Sequence, residues 1–304
     1  MIFLAEQTEQ IAPVHTHTPK PGNKHVEMVK GHATNILKSD YFKVCVIALG
    51  VYALITLVMF WYIAININTD TINGGGDVYQ SMWSLWWVNY AIFTQHVSPY
   101  FTNMIFYPAG AELVTESLSP LAAILTLPLQ WISLTFEYNV IFLLGFILSG
   151  LFMFMLAHHI TKNNYGSFLA GLIYAFSPMH IAQSIGHLNW TSIEFIPLFI
   201  LLFLLMFEHR KRRYAVLAGI VFVLVIFVGD PLQGILTILI TGLLLIYYLI
   251  TQRSNILNNK FLIDLGILIG VALVFGSPSN TAIGSLVTYE IALKFIVAVV
   301  ELGE

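Results

Sequence analysis

Charge is what this sequence has least of: Asp, Glu, Lys and Arg make up 10% of its 304 residues, against roughly 25% in an average soluble domain. With 58% apolar residues and a mean hydropathy of +0.80, that scarcity excludes a water-soluble globule and makes lipid the solvent. Basic residues are too few for a nucleic-acid face, since 13 Lys and Arg against 16 Asp and Glu leave a net charge of −3. The single cysteine, Cys45, lies in an apolar run and excludes an intrachain disulfide. No repeat of solenoid period is present. Residues 1–40 lack the short apolar core of a signal peptide.

What is there is a series of apolar stretches. One of spanning length runs from Val44 to Ile65, about 20 residues being needed. Others follow near 139–157, 166–179, 193–207, 214–228, 232–250, 261–276 and 282–299, and Ser119 to Phe136 is interrupted by Pro120 and Pro128. The pattern predicts an all-α fold, a polytopic transmembrane helix bundle of about eight or nine membrane segments. Residues 41–304 form the transmembrane domain. Residues 1–40 form a polar tail, disordered by its composition, with four histidines (His15, His17, His25, His32) best read as solvated.

Basic residues orient the bundle. Neither lysine nor arginine occurs between Lys43 and Lys162, nor again until Arg210. Clusters in the tail, at Lys162, at Arg210 to Arg213 and at Arg253 with Lys260 belong in the cytoplasm by the positive-inside rule. The expectation is a multi-pass plasma-membrane protein with a cytoplasmic N-terminus. Residues 66–118, 180–192, Gly229–Gly234 and Gly276–Asn280 then lie outside. The alternation closes if 119–136 enters and leaves on one side, as a proline-broken segment allows.

The outer loop 66–118 looks structured. Gly74, Gly75 and Gly76 precede Asp77, which suits a helix N-cap with Gln80 three residues on. Trp83, Trp86, Trp87 and Tyr90 recur at helical spacing. They predict an amphipathic helix lying at the membrane–water interface. A turn, Tyr107-Pro108-Ala109-Gly110, and two acids, Glu112 and Glu116, follow. Asp77 has two compatible readings: a cap, or a carboxylate held between glycines that let a substrate approach and able to accept a proton.

The second outer segment holds His180, His187 and Asn189. Seven residues separate the histidines, which a continuous helix would place on one face. Asn189-Trp190-Thr191 matches a glycosylation sequon, a short pattern common by chance. Glu194 suits a helix start. Asp230, between Gly229 and Pro231, is turn chemistry that can also face the same cavity. His158 and His159 end a helix, where the dipole favours them.

The order of these pieces resembles a known family. One helix is followed by an outer loop opening Gly-Gly-Asp-Val-Tyr, then Phe-Tyr-Pro-Ala-Gly and Ser-Pro-Leu, then Leu-Ala-His-His-Ile-Thr-Lys. Ala-Gly-Leu-Ile-Tyr-Ala-Phe-Ser-Pro-Met-His and Gly-His-Leu-Asn-Trp come next, ahead of Glu-Phe-Ile-Pro-Leu. This is similar to the membrane-integral C-type (GT-C) glycosyltransferases, especially their bacterial and archaeal branch, over residues 44 to about 250. The resemblance implies transfer of a sugar, with inversion, from a polyprenyl-phosphate donor to an acceptor hydroxyl or amide on the outer face. Asp77 would be the base or a metal ligand. His180, His187 and Asn189 would hold the donor phosphate, because the outer segments contain no lysine or arginine. A divalent cation, magnesium or manganese, would sit on Asp77, Glu112 and Glu116. Members usually continue into further helices, so this chain, ending at Glu304, is short by comparison. Two other classes fit the composition: a transporter or lipid-binding protein with the polar groups along its path, and a non-catalytic subunit of a membrane complex.

Overall fold

A computed structural model describes residues 40–72, 75–113, 116, 118–251 and 259–276. The tail, Gly74, Arg253 and the apolar stretch 282–299 lie outside the described residues. Met1–Val44 and Cys45–Glu304 form separate compact units, and the described part of the first is the opening turn of helix α1.

The described chain is mostly helical, with almost no sheet. In order come α1 (Asp40–Met59), a short α2 (Trp61–Ile65), α3 (Gly76–Asn89) running on as a π-helical turn (Tyr90–Gln95), and a small antiparallel hairpin, β1 (Phe101–Thr102) with β2 (Ala111–Glu112). Then follow α4 (Pro120–Gln130), α5 (Leu134–Thr161), α6 (Asn164–Ala175), α7 (Pro178–Gln183), α8 (Leu188–Thr191) and α9 (Phe195–His209). α10 (Arg212–Leu224) continues as a π-helical turn (Val225–Gly229), and α11 (Pro231–Thr251) and α12 (Asn259–Gly276) complete the described chain.

Local chemistry sets many of these boundaries. Ser133, Asn163 and Ser177 cap α5, α6 and α7, their side chains accepting from Phe136 N (2.9 Å), Gly166 N (3.0 Å) and His180 N (3.3 Å). Such caps satisfy orphan amides at a helix start. At the other ends of α5 and α9, Lys162 (φ 55°) and Arg210 (φ 53°) take the left-handed conformation and donate their N–H to the carbonyls of His158 and Met206. Cations there also complement the helix dipole.

Among the described residues, four helices are long and apolar enough to cross a membrane: Asp40–Met59, Leu134–Thr161, Arg212–Gly229 and Pro231–Thr251. Pro120–Gln130 and Phe195–His209 are apolar but shorter. α6, expected as a span, has 12 residues, a length of about 18 Å at 1.5 Å per residue. The stretch expected as one span from Val44 to Ile65 is likewise interrupted at Phe60.

The bundle packs α5 against α6, α4 and α9, and α10 against α9 and α12. Tyr52 is its tightest joint: fully buried, it donates to Phe168 O (3.0 Å), stacks on Phe168 and lies against Gly150 and Gly171. Glycine at these positions lets three helices close around one phenol ring. A carboxylate buried in α5 is satisfied locally: Glu137 accepts from Thr126 Oγ1 (2.8 Å) and Gln130 Nε2 (2.9 Å), tying α4 to α5.

The described basic clusters, at Lys162, at Arg210 to Arg213 and at Lys260, meet at one end. His159, near Lys162, bonds Glu208 at 3.0 Å, and the Arg210 guanidinium stacks on Phe207 and Phe261, next to Lys260. At the opposite end Asn139 donates to the carbonyls of Ile67 (2.9 Å) and Asp70 (2.8 Å), and Asn189 bonds Asp230. Both ends of α4 belong to this second end, since Ser119 Oγ reaches Gly229 O (3.5 Å) and Gln130 reaches Glu137.

Candidate functional site

A cleft of about 280 Å³ opens at the end opposite the basic cluster, lined by Asp77, Gln80, Ser81, Gly186, His187, Asn189 and Trp190. One wall is the first turns of α3. Asp77, Gln80 and Ser81 stand at i, i+3 and i+4, so one helix face presents carboxylate, amide and hydroxyl together. The other wall is the α7–α8 segment.

Asp77 is not the N-cap expected from its sequence context. Gly75 occupies that position, extended at φ −85°, ψ 173°, and makes no side-chain cap bond. The glycines let the helix begin two residues earlier, at Gly76, so Asp77 falls inside the first turn. There it is exposed, and the dipole favours its charge. Its neighbour across the cleft is Gly186: a Cβ built there would stand 3.2 Å from Asp77 Cβ and 3.5 Å from Asp77 Oδ2. Glycine at 186 keeps the carboxylate open.

α8 is bolted to the bundle from below. Asn189 Nδ2 donates to Asp230 Oδ2 (2.8 Å), while Asp230 Oδ1 accepts from Leu232 N (2.8 Å) at the start of α11. Gln233 Nε2 donates to Asn189 O (2.9 Å). Asp230 thus belongs to the site's support, its carboxylate divided between a cleft amide and a helix start. Asn189 is 5% exposed and engaged through its amide, which takes it out of use as a glycosylation acceptor. His187 is exposed and lines the cleft; its carbonyl accepts the N–H groups of Trp190 and Thr191.

His180 does not join it. The helix that would have aligned the two histidines stops at Gln183, and the chain turns through Gly186 before α8 begins. The His180 ring lies 2% exposed, with Nδ1 2.6 Å from Ala175 O and Nε2 2.9 Å from Thr191 O, stacked 4.1 Å from Phe146. Burial holds this imidazole below the ordinary histidine range, opposed by the carbonyls of Thr191 and Ala175, which favour the charged form. It is a cross-brace of the α7–α8 segment and is not among the residues that line the cleft.

The expected metal set is not assembled. Glu116 approaches the cleft by accepting from Gln80 Nε2 (3.3 Å), whereas Glu112 is exposed on β2 opposite Phe101. Among the described residues no group of three or more His, Cys, Asp or Glu side chains is placed to hold a metal ion. Glu194 heads α9 without a side-chain cap bond.

The aromatic helix α3 also departs from expectation. Trp87 is 2% exposed, its indole N–H donating to Pro99 O (2.8 Å), and Asn89 Nδ2 donates to Ala123 O (3.1 Å). Trp83 stacks on Trp87, and Trp86 on Tyr90. The C-terminal half of α3 is therefore core, packed on α4 and α5, and not a helix resting on a surface. Helical spacing of tryptophans identifies an apolar face but not what covers it.

Gln80, Ser81, Gly186 and Trp190 line the cleft without standing out in the sequence as site residues: Gln80 is marked there only as a capping partner, Gly186 and Trp190 only within short motifs, and Ser81 not at all, although its i+4 offset from Asp77 was present. No family model, curated protein or solved structure matches the chain.

Proposed function

We propose that this chain is a glycosyltransferase that moves a sugar from a polyprenyl-phosphate donor to an acceptor on the outer membrane face, with inversion. The observation that carries the reading is Asp77: an exposed carboxylate, uncommitted to capping, on a cleft shared with an imidazole, two amides, a hydroxyl and an indole. Planar polar side chains beside an aromatic ring suit sugar hydroxyls and the apolar face of a pyranose.

In this mechanism Asp77 takes the proton of the acceptor nucleophile as it attacks the anomeric carbon. The C–O bond to the donor phosphate breaks, and the electron pair leaves with that phosphate. His187 stands on the opposite wall and offers a ring N–H to the leaving oxygen. Lysine and arginine are absent from the lining residues. A divalent cation, if bound, would rest on Asp77 with Glu116 as the nearer second acid, and would neutralise developing phosphate charge. In the same reading the basic end faces the cytoplasm and the cleft end faces outward. α4 then turns back on the outer side, and the N-terminus is cytoplasmic in a plasma-membrane protein.

The test is Asp77→Asn assayed with a polyprenyl-phosphate sugar and candidate acceptors. Asparagine keeps the size of the side chain and forfeits the base, so turnover should fall by about 10² or more. The loss of dipole stabilisation should cost no more than about 1 kcal/mol of stability. Transfer at the wild-type rate by the variant removes Asp77 from the chemistry. Failure of the wild-type protein to bind any donor of this class leaves the transporter or subunit readings in its place.

A further inference from the structure

The exposed aromatic surface expected of α3 is carried instead by the hairpin that hangs from it. Between β1 and β2 every residue from Asn103 to Ala109 is exposed, and the tip is built from Met104, Ile105, Phe106 and Tyr107, with Phe106 at 78% and Tyr107 at 81%. Turn tips in water are ordinarily Gly, Asn, Asp or Ser. No Asp, Glu, Lys or Arg occurs from Val78 to Ala111, so the tip carries no charge, and the first acid after it, Glu112, stands at the hairpin base opposite Phe101.

The tip is also held rigidly outward. Gly110 (φ 76°) closes the turn, its N–H donating to Phe106 O (3.1 Å). A Cβ on it would meet the Phe101 ring at 2.6 Å and Thr102 O at 2.7 Å, so only glycine fits. Phe106 itself is left-handed (φ 54°), a costly conformation for a bulky residue that points its ring away from the hairpin. The base is fastened by Leu113 N to Tyr100 O (2.8 Å) and by Trp87 to Pro99 O.

We propose that this tip is a membrane wedge, inserted at the headgroup–acyl boundary of the bilayer that holds the chain's own helices. Three observations select lipid over a protein partner. Residues 103–109 carry no charged side chain, the first acid being Glu112 at the hairpin base, whereas a protein interface normally has a polar rim. Its pairing of phenylalanine, isoleucine and methionine with one tyrosine is the chemistry of the interfacial belt. Trp61, Tyr62 and Ile65, at the end of the first spanning stretch, are exposed in the same way at 61%, 51% and 67%, so the segments leading into the outer loop already present a belt of that kind. Because the hairpin base is bonded to α3, the wedge sets the height of Asp77 and its cleft relative to the bilayer. This holds whatever reaction the cleft performs.

The test places a nitroxide at Phe106→Cys, Tyr107→Cys and, as a control, Glu112→Cys, each with Cys45→Ser, in phosphatidylcholine nanodiscs. At 106 and 107 collisions with oxygen should exceed those with a water-soluble nickel chelate by several-fold, with the order reversed at 112. Predominant nickel collisions at 106 and 107 would put the tip in water and overturn the proposal. Protection from both quenchers would put it against another protein copy and overturn it equally. The unaltered protein offers a second measurement. In nanodiscs, hydroxyl-radical oxidation should spare Met104 and Tyr107 relative to Tyr165, which is 89% exposed at the start of α6. Oxidation of all three alike contradicts the wedge.

Discussion

His180 shows how one residue can satisfy the chemistry of a binding group and serve a structural end. Its two ring nitrogens face two carbonyls inside the protein, and its folded pKa is lowered by burial. The sign of the consequence follows from linkage. As pH falls through the unfolded value of about 6.5, the unfolded chain takes up a proton that the native state resists, so stability is lost on acidification until the lower folded pKa is passed. The unfolding midpoint in detergent should therefore drop between about pH 7.5 and about pH 5.5, and His180→Gln should lose less over the same interval. At the upper pH the variant should be less stable by about 1 kcal/mol for its weakened brace. An equal acid loss in both proteins would mean that other groups carry the pH dependence. Asp77, by contrast, gained significance from a shift of two residues in the helix start: as a cap its oxygens would have been occupied, whereas the cap position is held by Gly75.

Among elements, the joint between α1, α5 and α6 depends on atoms that are missing. A Cβ at 171 would collide with the Tyr52 hydroxyl and stand 2.6 Å from Gly150 O, and one at 150 would lie 2.8 Å from Tyr52 Cγ. Neither the ring, fully buried, nor the backbone has room to withdraw. Gly171→Ala should destabilise by about 1–3 kcal/mol through overpacking, seen as a lower thermal midpoint. Tyr52→Phe in the same background, which deletes the hydroxyl, should recover part of the loss. No change in Gly171→Ala would show that the helices separate more easily than their packing implies. α4 and α5 illustrate the opposite device, a polar clasp: the Glu137 carboxylate with Thr126 and Gln130 uses hydrogen bonds where glycine uses close approach.

For the molecule as a whole, the division into a basic end and a cleft end is the property most open to direct measurement. In intact cells, with Cys45→Ser as background, Gln80→Cys and Ile185→Cys at the cleft end should react with an impermeant maleimide. Tyr165→Cys, beside Lys162, should react only after permeabilisation. Labelling of Gln80→Cys and Ile185→Cys from opposite sides would separate two walls that the fold brings within one cleft. Labelling of Tyr165→Cys alone would invert the orientation drawn from the basic residues.

The sequence by itself determined the helical, membrane-borne character of the chain, the order of its apolar stretches and the segregation of basic residues. Each of these is local: a run of apolar side chains or a charge count acts within a few residues and can be read there. Asp77 and His187 were legible as candidates for the same reason, being polar groups in short segments between apolar runs. Only the tertiary structure decided that Asn189 meets Asp230 across 41 positions, that Gln80 meets Glu116 across 36, and that Gly186 faces Asp77. It also buried Trp87 and His180, which helical spacing alone had aimed at a surface and a ligand. Contacts between distant positions depend on how the bundle closes, and propensity and periodicity specify which face of a helix is apolar without specifying whether lipid or protein will cover it.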